Sequence, residues 1–155
     1  MNLKFEKSTL ILISIMFFLL IFSVIMYSYV DNNLVRRVLF FPDKNNFSGE
    51  IRQLPEQESQ EENIKVLINE LILGPYSIDH HRTVPEKTRL HSILLRNKST
   101  LYIDFSADLI VSVHEHGIVC SDMLKLIRKN LKYNFPILEE ITLSVDGQTL
   151  LEGLN

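Results

Sequence analysis

From Thr9 to Val30 the chain reads TLILISIMFFLLIFSVIMYSYV, without a charge, a proline or a glycine. As a helix this stretch reaches about 33 Å, enough to cross a hydrocarbon core of about 30 Å. A lone segment in lipid satisfies its backbone hydrogen bonds only as a helix. The run exceeds the ~7–15 apolar residues of a secretory signal core. Its exit, Tyr27-Ser28-Tyr29-Val30-Asp31, offers no small-x-small cleavage pair. The segment therefore reads as an uncleaved signal anchor in the cytoplasmic membrane. The flanking charges leave its direction open. Lys4 and Lys7 stand against Glu6 on one side, and Arg36, Arg37 and Lys44 against Asp31 and Asp43 on the other.

The anchor accounts for an unusual composition. Mean hydropathy is +0.09 although 23% of the 155 residues are charged. The residues beyond Val30 suffice for one domain with a real core and not for two. A formal charge of −3 gives no support to nucleic-acid binding. The single cysteine, Cys120, excludes an internal disulfide and a multi-cysteine metal site.

Periodicity organises the rest. Val35–Phe41 is β-branched and aromatic and stops at Pro42-Asp43, which predicts a strand. Glu50–Leu54 alternates polar and apolar as a second strand, ended by Pro55. Ser59 and Glu62 have capping-box spacing. Ile64, Leu67, Ile68, Leu71 and Ile72 then share one helical face, and Gly74-Pro75 ends it. Thr88–Arg96 and Thr100–Ser106 predict a hairpin about Asn97-Lys98-Ser99. Asp108–Val113 is apolar without a clear period, and Ser112 with Glu115 has the spacing of a second capping box. Gly117, Cys120, Leu124, Ile127 and Leu131 mark one side of a helix ending near Lys132, broken by Asn134 and Pro136. Glu140–Val145 is a last strand, with Asp146-Gly147 as a turn. The class is α/β (α+β). After the N-terminal transmembrane helix comes a small sheet with two helices packed on one face, in the order β-β-α-β-β-α-β.

These residues resemble the GerMN domain of sporulation and spore-germination proteins and other bacterial envelope proteins. The resemblance rests on Val38-Leu39-Phe40-Phe41 before Pro42-Asp43, and on Leu71-Ile72-Leu73-Gly74-Pro75. It continues in Val84-Pro85 ahead of the hairpin to Tyr102-Ile103-Asp104-Phe105-Ser106, and in Thr142-Leu143-Ser144-Val145-Asp146-Gly147. It covers roughly residues 37–148, in one copy. It implies a fold similar to ring-building-motif domains and an extracytoplasmic position. That sets the N-terminus inside. The expected organisation is a cytoplasmic tail (1–8), the anchor (9–30), a linker (31–36) and the extracytoplasmic domain (37–155).

Chemistry-bearing residues are few and weakly patterned. His114-Glu115-His116, with His80, His81 and His91, invites a metal. Zinc needs three or four convergent ligands, and residues two apart share a face on a strand but not on a helix. Cys120 falls on an apolar helix face, where cysteine acts as a small hydrophobe. Asp104 and Asp146 have the placement of turn-forming residues at strand ends. Arg128, Lys129 and Lys132 suit a helix C-terminus. No G-x-S-x-G, phosphate loop or H-E-x-x-H occurs. The sequence thus assigns no catalytic, cofactor-binding or metal-ligating residue and requires no cofactor. The expected function is a non-catalytic, membrane-anchored interaction or assembly module of the cell envelope. Its expected partners are the membrane, other envelope proteins or further copies of itself. The alternative is an envelope enzyme or ligand-binding domain acting on cell-wall glycan.

Overall fold

The structure is a computed structural model that describes residues 7–29, 33–43, 47–111 and 120–150. The chain divides into two compact units between residues 33 and 34. The first unit contains α1 (Lys7–Tyr29). Its window Thr9–Tyr27 is long and apolar enough to cross a membrane, and none of it is buried within the protein.

The second unit holds β1 (Leu34–Pro42), β2 (Phe47–Pro55), α2 (Gln60–Leu73), β3 (Leu90–Arg96), β4 (Thr100–Phe105), α3 (Asp108–Val111), α4 (Cys120–Asn134), β5 (Glu140–Val145) and β6 (Gln148–Thr149). β3–β4 and β5–β6 pair antiparallel and β4–β5 pair parallel, giving one sheet in the order β3-β4-β5-β6. Leu101, Ile103, Phe105, Ile141, Leu143 and Val145 line its buried face. Ile64, Leu67, Ile68 and Leu71 of α2 and Met123, Leu124, Ile127 and Leu131 of α4 complete the same core.

Local chemistry explains the element ends. The Ser59 hydroxyl accepts from Glu62 N at 3.1 Å, which is one arm of the predicted capping box. Asn63 adds a second lock: its amide bonds Gln57 O and accepts from Gln57 N. Gly74 closes α2 at φ 88, ψ −175, a positive φ with an extended ψ that suits a glycine. A side chain there would also meet Arg82 at 3.0 Å. Asn97 (φ 51) and Lys98 (φ 63) turn the β3–β4 hairpin, and Asp146 (φ 47) and Gly147 (φ 77) turn β5 into β6. Positive φ at both central residues matches the right-handed twist of the flanking strands.

One expectation is corrected. The strands form two sheets rather than one, because β1–β2 is a separate antiparallel hairpin. The reason lies on α4. Asn134 Oδ1 accepts from Val38 N at 3.0 Å, and Asn134 Nδ2 donates to Val38 O at 2.7 Å. Asn130 treats Phe40 identically, at 2.7 and 3.0 Å. Four helical residues rise about 6.0 Å, close to the roughly 6.7 Å between alternate strand residues. Two carboxamides thus fill the edge where a strand would have joined. Asn134, expected as a helix breaker, is the last residue of α4 and belongs to this seam. The hairpin's inner residues Leu39, Phe41 and Leu54 enter the common core.

The second capping box, Ser112 with Glu115, and Gly117 lie outside the described residues.

This packing sets the cost of two substitutions. Leu67→Ala should cost about 2–5 kcal/mol in denaturant melts of the domain, and a loss well under 1 kcal/mol would contradict the core assignment. Asn130→Ala should cost about 2 kcal/mol, since it removes the partner of the partly buried Phe40 N–H and the nearer of the two donors to Phe40 O. Lys132→Ala on the exposed side of the same helix should change stability by less than about 0.5 kcal/mol.

Candidate functional site

Three features of the second unit carry polar chemistry. The first is buried. Arg52 on β2 has a side chain 1% exposed and pairs with Glu50 Oε2 at 3.0 Å and Glu70 Oε2 at 2.7 Å. It also donates to Gly74 O at 2.6 Å and Glu70 O at 3.2 Å. Its guanidinium lies 3.8 Å from the Tyr76 ring centroid and 5.3 Å from that of Phe41. Glu50 in turn accepts from Tyr76 N, Ser77 N and His80 Nδ1 at 3.1, 3.0 and 2.8 Å. Burial alone would raise the Glu50 pKa. The Ser77 and Tyr76 amides, then Arg52 and His80, outweigh burial and hold it at about 2. The cluster ties the hairpin to the end of α2 and to the loop beyond. Every charged partner is already engaged, so its work is structural.

The second feature is the exposed face of the four-stranded sheet. Register aligns Leu94, Tyr102 and Thr142 in one row and Ser92, Asp104 and Ser144 in the next. Leu94 is 57% exposed and Tyr102 38%. At one edge His91 Nδ1 lies 3.6 Å from Asp104 Oδ2 and 3.4 Å from Asp146 Oδ1. Asp104 accepts from Gly147 N at 2.9 Å. That bond lowers its pKa, burial opposes it, and the Ser144 hydroxyl and His91 add to the lowering. Asp104 thus fastens the β5–β6 turn, the role expected of a strand-end aspartate. Its convergence with His91 and Asp146 escapes a reading of the sequence, since it needs the register of three strands.

The third feature is a depression of about 130 Å³ lined by residues including Glu61, Glu62, Lys65 and His91. Small-molecule pockets typically occupy about 300–1,000 Å³.

The residues singled out from sequence scatter. His80 bonds Glu50, and His81 donates its backbone N–H to Pro42 O at 2.8 Å. His114, Glu115 and His116 lie outside the described residues. Cys120 opens α4, half-buried and packed against the core. Lys129 Nζ sits over the Phe40 and Phe47 rings at 4.6 and 4.9 Å, so that part of the basic helix end is seated on aromatics. Among the described residues no three His, Cys, Asp or Glu side chains are arranged to hold a metal.

The Glu50 cluster makes a pH prediction. A carboxylate lowered from 4.5 to about 2 on folding adds stability that is complete above the unfolded value. That stability is lost as pH falls through the folded value. Between pH 4.5 and about 2, the domain should therefore lose stability more steeply with Glu50 than as Glu50→Gln. Equal slopes in acid-dependent denaturant melts would contradict the account.

Comparison with known proteins places this geometry. The family described as "Germane: Sporulation and spore germination" matches residues 38–151. The tandem GerMN domains of the sporulation protein GerM from Bacillus subtilis superpose with a TM-score of 0.52 at 18% identity. The match covers 76% of this chain and 41% of that one, so the chain spans about two fifths of the tandem structure. The first GerMN domain of the same protein gives a TM-score of 0.52 at 19% identity, covering 75% and 86% respectively. No curated protein matches. The family match runs from the seam strand β1 past the closing turn and covers most of the chain. The chain belongs to the Germane family of sporulation and spore-germination domains.

Proposed function

We propose that this protein is a membrane-anchored assembly module of the bacterial cell envelope, with its Germane domain outside the cytoplasm and no catalytic role. The observation that carries the reading is the use made of the polar side chains. Those with strong chemistry, Arg52, Glu50, Glu70 and His80, are spent on holding the domain together. What faces solvent on the four-stranded sheet is an open surface of Tyr102, Leu94, threonines and serines, with His91, Asp104 and Asp146 gathered at one edge, where Asp104 fastens the β5–β6 turn. A surface of that kind suits contact with another macromolecule better than it suits a reacting small molecule. Catalysis asks for groups within hydrogen-bond reach of a reacting atom. The shallow depression beside His91 offers little room for one.

The exposed apolar span supports the anchor. Confinement to a membrane raises effective concentration, so weak surface contacts act together. The N-terminal tail then lies in the cytoplasm and residues beyond the anchor outside it. The partners are the membrane itself through residues 9–30 and other envelope proteins or further copies of this chain.

Protease treatment of intact spheroplasts expressing the full chain tests the placement. The domain should be digested while a cytoplasmic marker survives. Protection until the cells are lysed would overturn the reading.

A further inference from the structure

We propose that the outer face of the β1–β2 hairpin lies on the lipid surface around the anchor and binds anionic phospholipid headgroups. This rests on the membrane-anchor reading above and adds a second contact to it.

Leu39, Phe41 and Leu54 enter the core, so the alternate residues of the hairpin face outward. These run from Leu34 to Pro42 on β1 and from Phe47 to Pro55 on β2. None of them is acidic and one, Arg36, is basic. Leu34, Phe47 and Ile51 are 52%, 45% and 56% exposed. Gly49 lets the Phe40 ring lie across the hairpin, since a Cβ there would meet Phe40 Cε1 at 3.4 Å. Tyr133 of α4 meets that ring edge-on at 4.9 Å and is itself exposed. Lys129 holds its ammonium over the Phe40 and Phe47 rings. Among the described residues Arg36, Lys129 and Lys132 form no ion pair. The one acidic residue of α4, Asp122, pairs with Lys125. Both attachments of the hairpin leave this face clear. Arg52 grips β2 from the buried side. The asparagines take the backbone groups of Val38 and Phe40 at the β1 edge. Across the antiparallel pair, Gly49, Ile51 and Gln53 turn theirs to the other edge, that of β2.

Two observations select lipid as the occupant. The first is complementarity. Exposed apolar and aromatic side chains grouped with cations, and no carboxylate among them, match the headgroup layer of an anionic membrane. Aromatic rings settle at headgroup depth, and lysine and arginine reach the phosphates above them. The second is the place of the face in the chain. Four residues, 30–33, separate the end of α1 from the start of β1. An extended chain covers that interval in at most about 18 Å. With α1 in the bilayer, Leu34, the first residue of the face, is held within that reach of the membrane. Lipid is therefore always available to this face, whatever else the envelope holds. The tether supplies the effective concentration that makes a weak surface contact effective.

The test uses the full chain in a Cys120→Ser background, reconstituted into vesicles of phosphatidylglycerol and phosphatidylcholine. The vesicles carry lipid spin-labelled at the shallow end of the acyl chain. A fluorophore is placed in turn on Met26→Cys in the anchor, Ile51→Cys on the hairpin face and Tyr102→Cys on the four-stranded sheet. The spin label should quench the fluorophore at positions 26 and 51 and spare the one at 102. Vesicles of phosphatidylcholine alone should lower quenching at 51 about threefold and leave that at 26 unchanged. Arg36→Gln with Lys129→Gln should do the same in the anionic vesicles, with an unchanged circular dichroism spectrum. The lipid exchange alters no residue, so the charge dependence is read without relying on the folding of that variant. Quenching at 26 but not at 51, equal quenching at 51 and 102, or quenching at 51 that ignores lipid charge would overturn the proposal and leave the anchor standing. No quenching at 26 would reject the anchor reading itself. An unquenched position 51 that photo-cross-links to another envelope protein in native membranes would assign the face to a protein instead.

Discussion

Two asparagine side chains stand in for a β-strand. Asn130 and Asn134 lie one turn apart on α4, and each bonds both the N–H and the C=O of one residue of β1. A carboxamide has the donor and acceptor that a peptide group has, so it can complete a sheet edge. Each side chain also donates to the carbonyl four residues earlier on its own helix, Leu126 O at 3.0 Å and Asn130 O at 2.8 Å. Arg37 reinforces the seam, donating to Asn134 O at 2.9 Å with its guanidinium 4.5 Å from the Phe135 ring centroid. Remove the seam, and the partly buried N–H groups of Val38 and Phe40 lose their partners. Its presence ends the hairpin's sheet at β1, seats Leu39 and Phe41 in the core and leaves β2 as the outward strand.

Arg52 secures the hairpin from the other strand. A buried cation is costly unless it is paired and hydrogen-bonded. Here two carboxylates, two carbonyls and two aromatic rings surround it. One of those carboxylates, Glu50, also organises the backbone at Tyr76 and Ser77. The two attachments work from opposite edges: asparagines hold β1 to α4, and Arg52 holds β2 to the end of α2. The domain's strongest electrostatics therefore serve its construction. The solvent-facing side of the four-stranded sheet carries hydroxyls, Tyr102 and Leu94, with the His91, Asp104 and Asp146 group at one edge.

Much of the fold was legible because it obeys local periodicity. The spacing of Ile64, Leu67, Ile68 and Leu71 gave a helix face that is buried throughout. The alternation of Leu101, Ile103 and Phe105 gave the inner face of β4, and that of Ile141, Leu143 and Val145 gave the inner face of β5. The seam was not legible in this way. Asparagine has modest helix propensity and reads as a terminus, whereas Asn130 is fully buried inside α4. The signal available was an N-x-x-x-N pair within an otherwise helical pattern. Arg52 looked like the polar half of an alternating strand, and only the neighbouring Glu50, Glu70 and Tyr76 make its burial tolerable. His91, Asp104 and Asp146 come together through pairing across three strands, with a bulge near Leu90 and Ser92. No single-strand pattern carries that information. β6 is two residues long, too short for a period to show.

Helical side chains, not a strand, close the β1 edge while β2 stays open. Residue-resolved hydrogen exchange on the detergent-solubilised full chain, at a concentration that keeps it monomeric, tests this directly. The Val38 and Phe40 amides should exchange slowly, protected to the level of the core strand β4. The Gly49, Ile51 and Gln53 amides should exchange near the rate of an exposed strand. Fast exchange at Val38 and Phe40, or protection at Ile51 equal to theirs, would contradict the account.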